Sequence, residues 1–100
     1  MPCIHLIEKK GFIKTLPDSS DEWESGYWAV PESTANALVG GEIYFHKKQA
    51  ELSFFGGRIL GFRVDTDAYA GRIVFRFRFD IVCRGVSAGQ GGWSVEKKIV

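Results

Sequence analysis

The sequence has almost no net charge, few cysteines and no long hydrophobic run. Its 13 basic and 12 acidic residues leave a formal charge of +1, so no strong overall field marks the chain as a binder of nucleic acid or membranes. The apolar part of residues 1–10 is too short for a signal peptide or a membrane span. We therefore expect a cytoplasmic protein without a membrane partner, in which Cys3 and Cys83 remain thiols.

The sequence also lacks the usual motifs of catalysis and metal binding. No Gly-x-Ser-x-Gly elbow accompanies a histidine, and Gly40-Gly41 and Gly56-Gly57 match neither a phosphate-binding loop nor a dinucleotide fingerprint. The potential zinc ligands lack the compact paired spacing of structural zinc sites; they are Cys3, His5, His46 and Cys83. We expect no catalytic residue, no metal and no cofactor, and a small enzyme of unknown reaction ranks third among the possible functions.

Enough apolar material is present for one small folded domain. The chain has 100 residues, of which 45% are hydrophobic, 14% aromatic and 25% charged. This composition excludes a disordered chain, and the length suits a single core rather than two. We expect residues 1–100 to form one domain.

The clearest local pattern is the strict alternation over residues 72–81. Apolar side chains at every second position would share one face of a strand, whereas a helix would bury arginines beside phenylalanines. The predicted core face consists of Ile73, Phe75, Phe77, Phe79 and Ile81, and the other face of Arg72, Val74, Arg76, Arg78 and Asp80. The basic face suggests an anionic partner, but the solvated face of an antiparallel sheet has the same pattern.

The remaining segments predict a strand-rich fold with one helix. Strands at Ile4–Ile7 and Phe12–Leu16 are expected to form a hairpin, and the acidic stretch 17–26, which contains Trp23, is expected to be a loop. Pro31 and Gly40 frame a helix over Pro31–Val39. Further strands are expected at 27–30, 42–46, 54–64 and 93–100. The predicted class is mainly β (α+β), a small pseudo-barrel of about six or seven strands with one short helix.

The order of elements between residues 27 and 80 resembles the PUA-like superfamily, which includes the PUA, ASCH, EVE and YTH domains. The resemblance is carried by a strand, one short helix, Gly40-Gly41, the strand Ile43-Tyr44-Phe45-His46, a polar connector and the strand that begins near Gly56-Gly57. It implies a small barrel that binds RNA or DNA, sometimes with a modified base in an aromatic cage. Trp28, and then Trp23, would be the cage residues.

We therefore predict a non-catalytic module that binds nucleic acid. The residues expected to contact phosphate are Arg72, Arg76, Arg78, Lys47 and Lys48, and those expected to stack on a base are Trp28, Trp23 and Tyr44, with His46 on the same strand as Tyr44. The alternative is a protein-interaction or inhibitor module that uses the acidic loop, with Trp23 as its anchor. The sequence does not distinguish RNA from DNA.

Overall fold

The computed structural model describes residues 2–9, 11–17, 21–89, 91–94 and 96–100, and within them it is mainly β, as predicted. The strands are β1 (Cys3–Ile7), β2 (Ile13–Thr15), β3 (Glu22–Trp28), β4 (Glu42–His46), β5 (Phe55–Val64), β6 (Ile73–Phe79) and β7 (Lys97–Ile99). The helix α1 (Glu32–Leu38) lies between β3 and β4, and a short 3₁₀ turn, Ile81–Cys83, follows β6.

All seven strands belong to one mixed sheet with the order β2-β3-β6-β5-β4-β1-β7. β1 and β4 are parallel, with Ile4 opposite Ile43, and the other neighbours are antiparallel. β5 lies near the centre, in agreement with the apolar residues on both of its faces. Because β2 and β7 are the two edges, the sheet is not closed within the described part of the chain.

β6 follows the predicted alternation over most of its length. Phe75 and Phe77 are fully buried, and the Phe77 ring lies 5.3 Å from that of Phe45. Phe79, in contrast, is only half-buried. Ile81 was expected on the core face but is 61% exposed, because the strand ends at Phe79 and the Asp80 carboxylate accepts the N–H of Val82 to begin the 3₁₀ turn. Val74, expected on the polar face, is buried.

Two further expectations for the N-terminal third were wrong. The hairpin of the first two strands does not form, because β1 pairs with β4 and β7 while β2 pairs with β3. The predicted loop over 17–26 is a strand from Glu22 onward, since Glu22 and Glu24 lie opposite Arg78 and Arg76 of β6, and cross-strand pairs of opposite charge favour the strand. Positions 18–20 of that predicted loop lie outside the described residues.

The helix prediction is confirmed within one residue at each end. Ala35 and Leu38 are buried in the core. Gly40 has a φ of 91°, which favours glycine, and its N–H donates to Ile59 O at 2.9 Å, so the end of α1 is fixed against β5. No helix in the described ranges is long and apolar enough to span a membrane.

Candidate functional site

A cleft of about 410 Å³ is lined by residues of the two outer regions of the sheet, with β3 in one and β1 and β7 in the other. The last residues of β3 and Ala29 line one side, and residues that follow β1 line the other together with Ser94, Glu96 and Lys97. Lys97 Nζ donates to Ala29 O at 2.9 Å and so connects the two sides. We call this space the seam cleft.

In the part of the chain that the structure describes, four aromatic side chains line the seam cleft, namely Phe12, Tyr27, Trp28 and Tyr69. The rings of Tyr27 and Tyr69 are stacked, with centroids 4.3 Å apart and an interplanar angle of 13°. Phe12 packs edge-on against both, at 5.5 Å from Tyr27 and 5.9 Å from Tyr69. The Trp28 indole N–H donates to the hydroxyl of buried Ser25 at 3.0 Å, which fixes its ring. These contacts hold the aromatic rings of the seam cleft in place.

The turn between β5 and β6 positions Tyr69 and Arg72. The Asp65 carboxylate accepts the N–H of Tyr69 at 2.9 Å, and Asp65 N–H donates to Arg72 O at 2.8 Å. Asp65 is itself buried, so its two hydrogen bonds anchor Tyr69 and Arg72 to the interior of the protein. Tyr69 and Arg72 therefore lie in the seam cleft by virtue of a well-bonded turn.

The charged side chains of the seam cleft leave a small positive excess. Among the described residues of the lining, three are basic and two are acidic, which gives a net charge of +1; they are Lys9, Arg72, Lys97, Glu8 and Glu96. The Glu8 carboxylate already accepts the N–H of Gly11 at 2.8 Å and so stabilises the turn after β1. The basic side chains are therefore the main groups of the seam cleft that can bind an anionic ligand.

The basic face of β6 is partly neutralised by its neighbours. Arg78 forms ion pairs with Asp21 at 3.6 Å and Glu22 at 3.2 Å. On β5, Arg63 pairs with Glu24 at 3.5 Å. The acidic residues that the sequence suggested as a separate loop thus lie beside the arginines, because β3 is hydrogen-bonded to β6.

The structure distributes the predicted nucleic-acid residues over several surfaces. Of these residues, Arg72 and Trp28 line the seam cleft. Trp23 packs edge-on against Phe55, with ring centroids 5.0 Å apart, and is half-buried in the sheet. The others lie elsewhere: Arg76 and Arg78 on the outer face of β6, Lys47 and Lys48 exposed after β4, and Tyr44 and His46 within β4.

His46 forms a buried pair with His5. His46 is fully buried and His5 is 4% exposed, with His5 Nδ1 lying 2.8 Å from His46 Nε2. His46 Nδ1 lies 2.8 Å from Glu51 O, and a carbonyl only accepts, so His46 carries its proton on Nδ1 and its Nε2 accepts from His5 Nδ1–H. Tyr44 stacks on His5 with centroids 4.6 Å apart. We call His5 and His46 the histidine pair.

His5 is held in the uncharged state by its surroundings. Burial, and then the proximity of His46 and Lys98, lowers the pKa of His5 from 6.5 to about 4. His5 is therefore neutral at physiological pH.

The two thiols are not activated. Cys83 is buried, and burial, with smaller contributions from Asp80 and Glu42, raises its pKa to about 11. Burial also raises the pKa of Cys3. A nucleophilic cysteine needs the opposite shift, so thiolate chemistry has no support at either position.

Sequence reasoning missed most of the seam cleft, including Phe12, Tyr27, Tyr69 and Lys97. These residues come from four separate segments that only the folded sheet brings together. One signal was available in Tyr27-Trp28, because adjacent side chains of a strand point to opposite faces and two neighbouring aromatics are not both expected in one core. The histidine pair, 41 residues apart in sequence, gave no such signal.

Comparison with family models, curated proteins and solved structures found no match for this chain. The resemblance to the PUA-like superfamily therefore stays a prediction.

Proposed function

We propose that the protein is a non-catalytic binding module that takes an unpaired base of single-stranded nucleic acid into the seam cleft. The observation that supports this most is the ordered aromatic lining beside Arg72 and Lys97. Aromatic side chains stack on bases and contribute about 1–3 kcal/mol per base, while neighbouring cations contact the backbone phosphates.

The shape and charge of the surface favour a single strand over a duplex. A base has to be unpaired and unstacked to enter a cleft, whereas duplex binding needs a broad surface of available cations. Two of the arginines that would contribute to that surface are already ion-paired, Arg63 with Glu24 and Asp65, and Arg78 with Asp21 and Glu22. Arg72, Lys97 and Lys9 are basic residues that line the seam cleft together with its aromatic rings.

A titration of short labelled RNA and DNA single strands in low salt, followed by fluorescence anisotropy, tests the proposal. Trp28→Ala should weaken binding by about 5- to 150-fold through lost stacking, with little change in salt dependence. Arg72→Gln should also weaken binding and reduce the salt slope by about one unit, because one phosphate contact is lost. Arg78→Gln is the matched control, since it makes the same chemical change outside the seam cleft, and it should bind like the parent.

The outcomes separate the alternatives. A folded sample that binds no single strand in low salt contradicts the proposal. A loss of affinity in Arg78→Gln but not in Arg72→Gln would move the site to the outer face of β6. The protein-interaction alternative has less support, because its proposed anchor Trp23 packs against Phe55.

A further inference from the structure

The histidine pair lies against residues 93–94 and 96–100, which contribute to the lining of the seam cleft. We call these residues the C-terminal segment. β7 pairs with β1 so that Lys98 lies opposite His5. The Trp93 ring packs edge-on against both imidazoles, at 6.4 Å from His5 and 5.7 Å from His46. Residues of the same segment, namely Ser94, Glu96 and Lys97, line the seam cleft. Contacts that hold this side in place therefore meet at His5.

The backbone bonds of the segment complete the attachment. Ile7 N–H donates to Glu96 O at 2.9 Å, and Cys3 and Val100 exchange N–H···O bonds of 3.1 and 2.9 Å. These bonds flank His5 on both sides along β1. A change in the charge of the His5 side chain would thus act at the middle of the short β1–β7 ladder.

A proton has no favourable place on His5 while the segment is docked. His5 Nδ1–H is donated to His46, so the available lone pair is that of His5 Nε2. In the described part of the chain, the ionisable side chains that face His5 are His46 and Tyr44 from β4 and Lys98 from β7. A proton on His5 would place a buried positive charge near the Lys98 ammonium.

We propose that the histidine pair is a proton-responsive latch on the seam cleft: neutral His5, hydrogen-bonded to His46, holds the C-terminal segment against β1, and a proton on His5 releases it. Only the expected consequence, weaker binding of single strands in acid, rests on the function proposed above. The release itself is a property of the chain without ligand.

The expected size of the effect follows from the affinity of His5 for a proton in the two states. Burial in the docked state lowers the pKa of His5 to about 4, and release into water returns it to 6.5. Lowering the pH from about 7.5 to about 5 should then increase the released population about 30-fold, because the released state binds the proton more tightly.

Amide hydrogen exchange of the unliganded protein, corrected for intrinsic exchange rates, tests the latch. The reporter amides are Cys3, Ile7 and Val100, whose N–H groups join β1 to the segment; the reference amides are Asp65 and Phe79, whose bonds go to Arg72 and Asp21. Protection of the reporters should fall by about 30-fold between these pH values while the references keep theirs.

Two variants give the test its specificity. His5→Asn keeps a side-chain N–H donor near His46 Nε2 but has no proton to gain, so its reporter amides should be equally protected at both pH values. Lys98→Gln keeps both histidines and removes the nearby ammonium, so its loss of protection in acid should be smaller than that of the parent.

Several results would overturn the latch. One is equal protection of the parent's reporters at both pH values, and another is the same acid-induced loss in His5→Asn. If His5→Asn does not fold, NMR of the parent protein replaces it. The ring signals of His5 should then titrate at the pH where the reporter amides lose protection. A titration midpoint of His5 that differs from the midpoint of that loss would contradict the proposal. Failure of single strands to bind at any pH contradicts the proposed function alone, because the exchange measurement uses no ligand.

Discussion

Replacement of Gly57 by alanine tests the centre of the sheet. Gly57 lies in β5 opposite Phe79, and a Cβ at this position would lie 1.9 Å from Arg78 O and 3.1 Å from Phe77 Cδ2. The first of these atoms belongs to the backbone of β6, so the methyl group fits only if the β5–β6 ladder separates locally. Overpacking against side chains costs about 1–3 kcal/mol, and a clash with a central backbone should cost at least about 3 kcal/mol.

Gly61→Ala is the matched control in the same strand. Its added Cβ would have only Arg76 Nη2 nearby, at 4.0 Å, so its free energy of unfolding should stay within about 1 kcal/mol of the parent's. Thermal unfolding followed by circular dichroism compares the two variants. For a domain of this size, Gly57→Ala should lower the Tm by at least about 12 °C. A Tm of Gly57→Ala within a few degrees of that of Gly61→Ala would refute the β5–β6 register.

Three further predictions concern stability. Phe77→Ala should cost about 3–5 kcal/mol, because Phe77 is fully buried between Phe45 and Phe55; a thermal melt equal to the parent's would exclude this packing. Gly40→Val should be distinctly less stable than Gly40→Asn, because a φ of 91° excludes β-branched residues most strongly; equal stability of the two variants in urea would argue against that conformation. The lowered pKa of His5 should stabilise the fold fully above pH 6.5, and this contribution of about 3 kcal/mol should be lost as the pH falls toward about 4. Urea unfolding as a function of pH measures it, and an equally steep pH dependence in His5→Asn would assign the loss to other groups.

Local patterns predicted most of the elements but not all of their partners. The alternation around Phe75 and Phe77 determines a strand without knowledge of its neighbours, and Pro31 and Gly40 bound the helix by their own backbone preferences. The pairing of β1 with β4 has no such local signal, because it joins segments about 40 positions apart across α1. The short Lys9–Gly11 connection predicts a hairpin of β1 and β2. In the structure β1 instead lies between β4 and β7.

The site was predictable only in part for the same reason. Trp28 and Arg72 stood out because one precedes the helix and the other begins the alternating strand. Tyr69 lies in a polar turn, and its role depends on stacking with Tyr27 from a distant strand. The sequence pattern overstates the charge of the arginine face because it predicts a loop at Glu22 and Glu24, whereas both residues belong to β3 and lie opposite arginines of β6.

The central claim is that ligands bind in the seam cleft, and backbone amide chemical shifts measured by NMR during titration with a short RNA or DNA single strand test it most directly. Binding there should shift the amides of residues 26–29, 69–72 and 96–97, which line or border the cleft. Shifts that concentrate instead at Arg76 and Arg78 or at Lys47 and Lys48, or no shifts at saturating ligand in low salt, would contradict the claim.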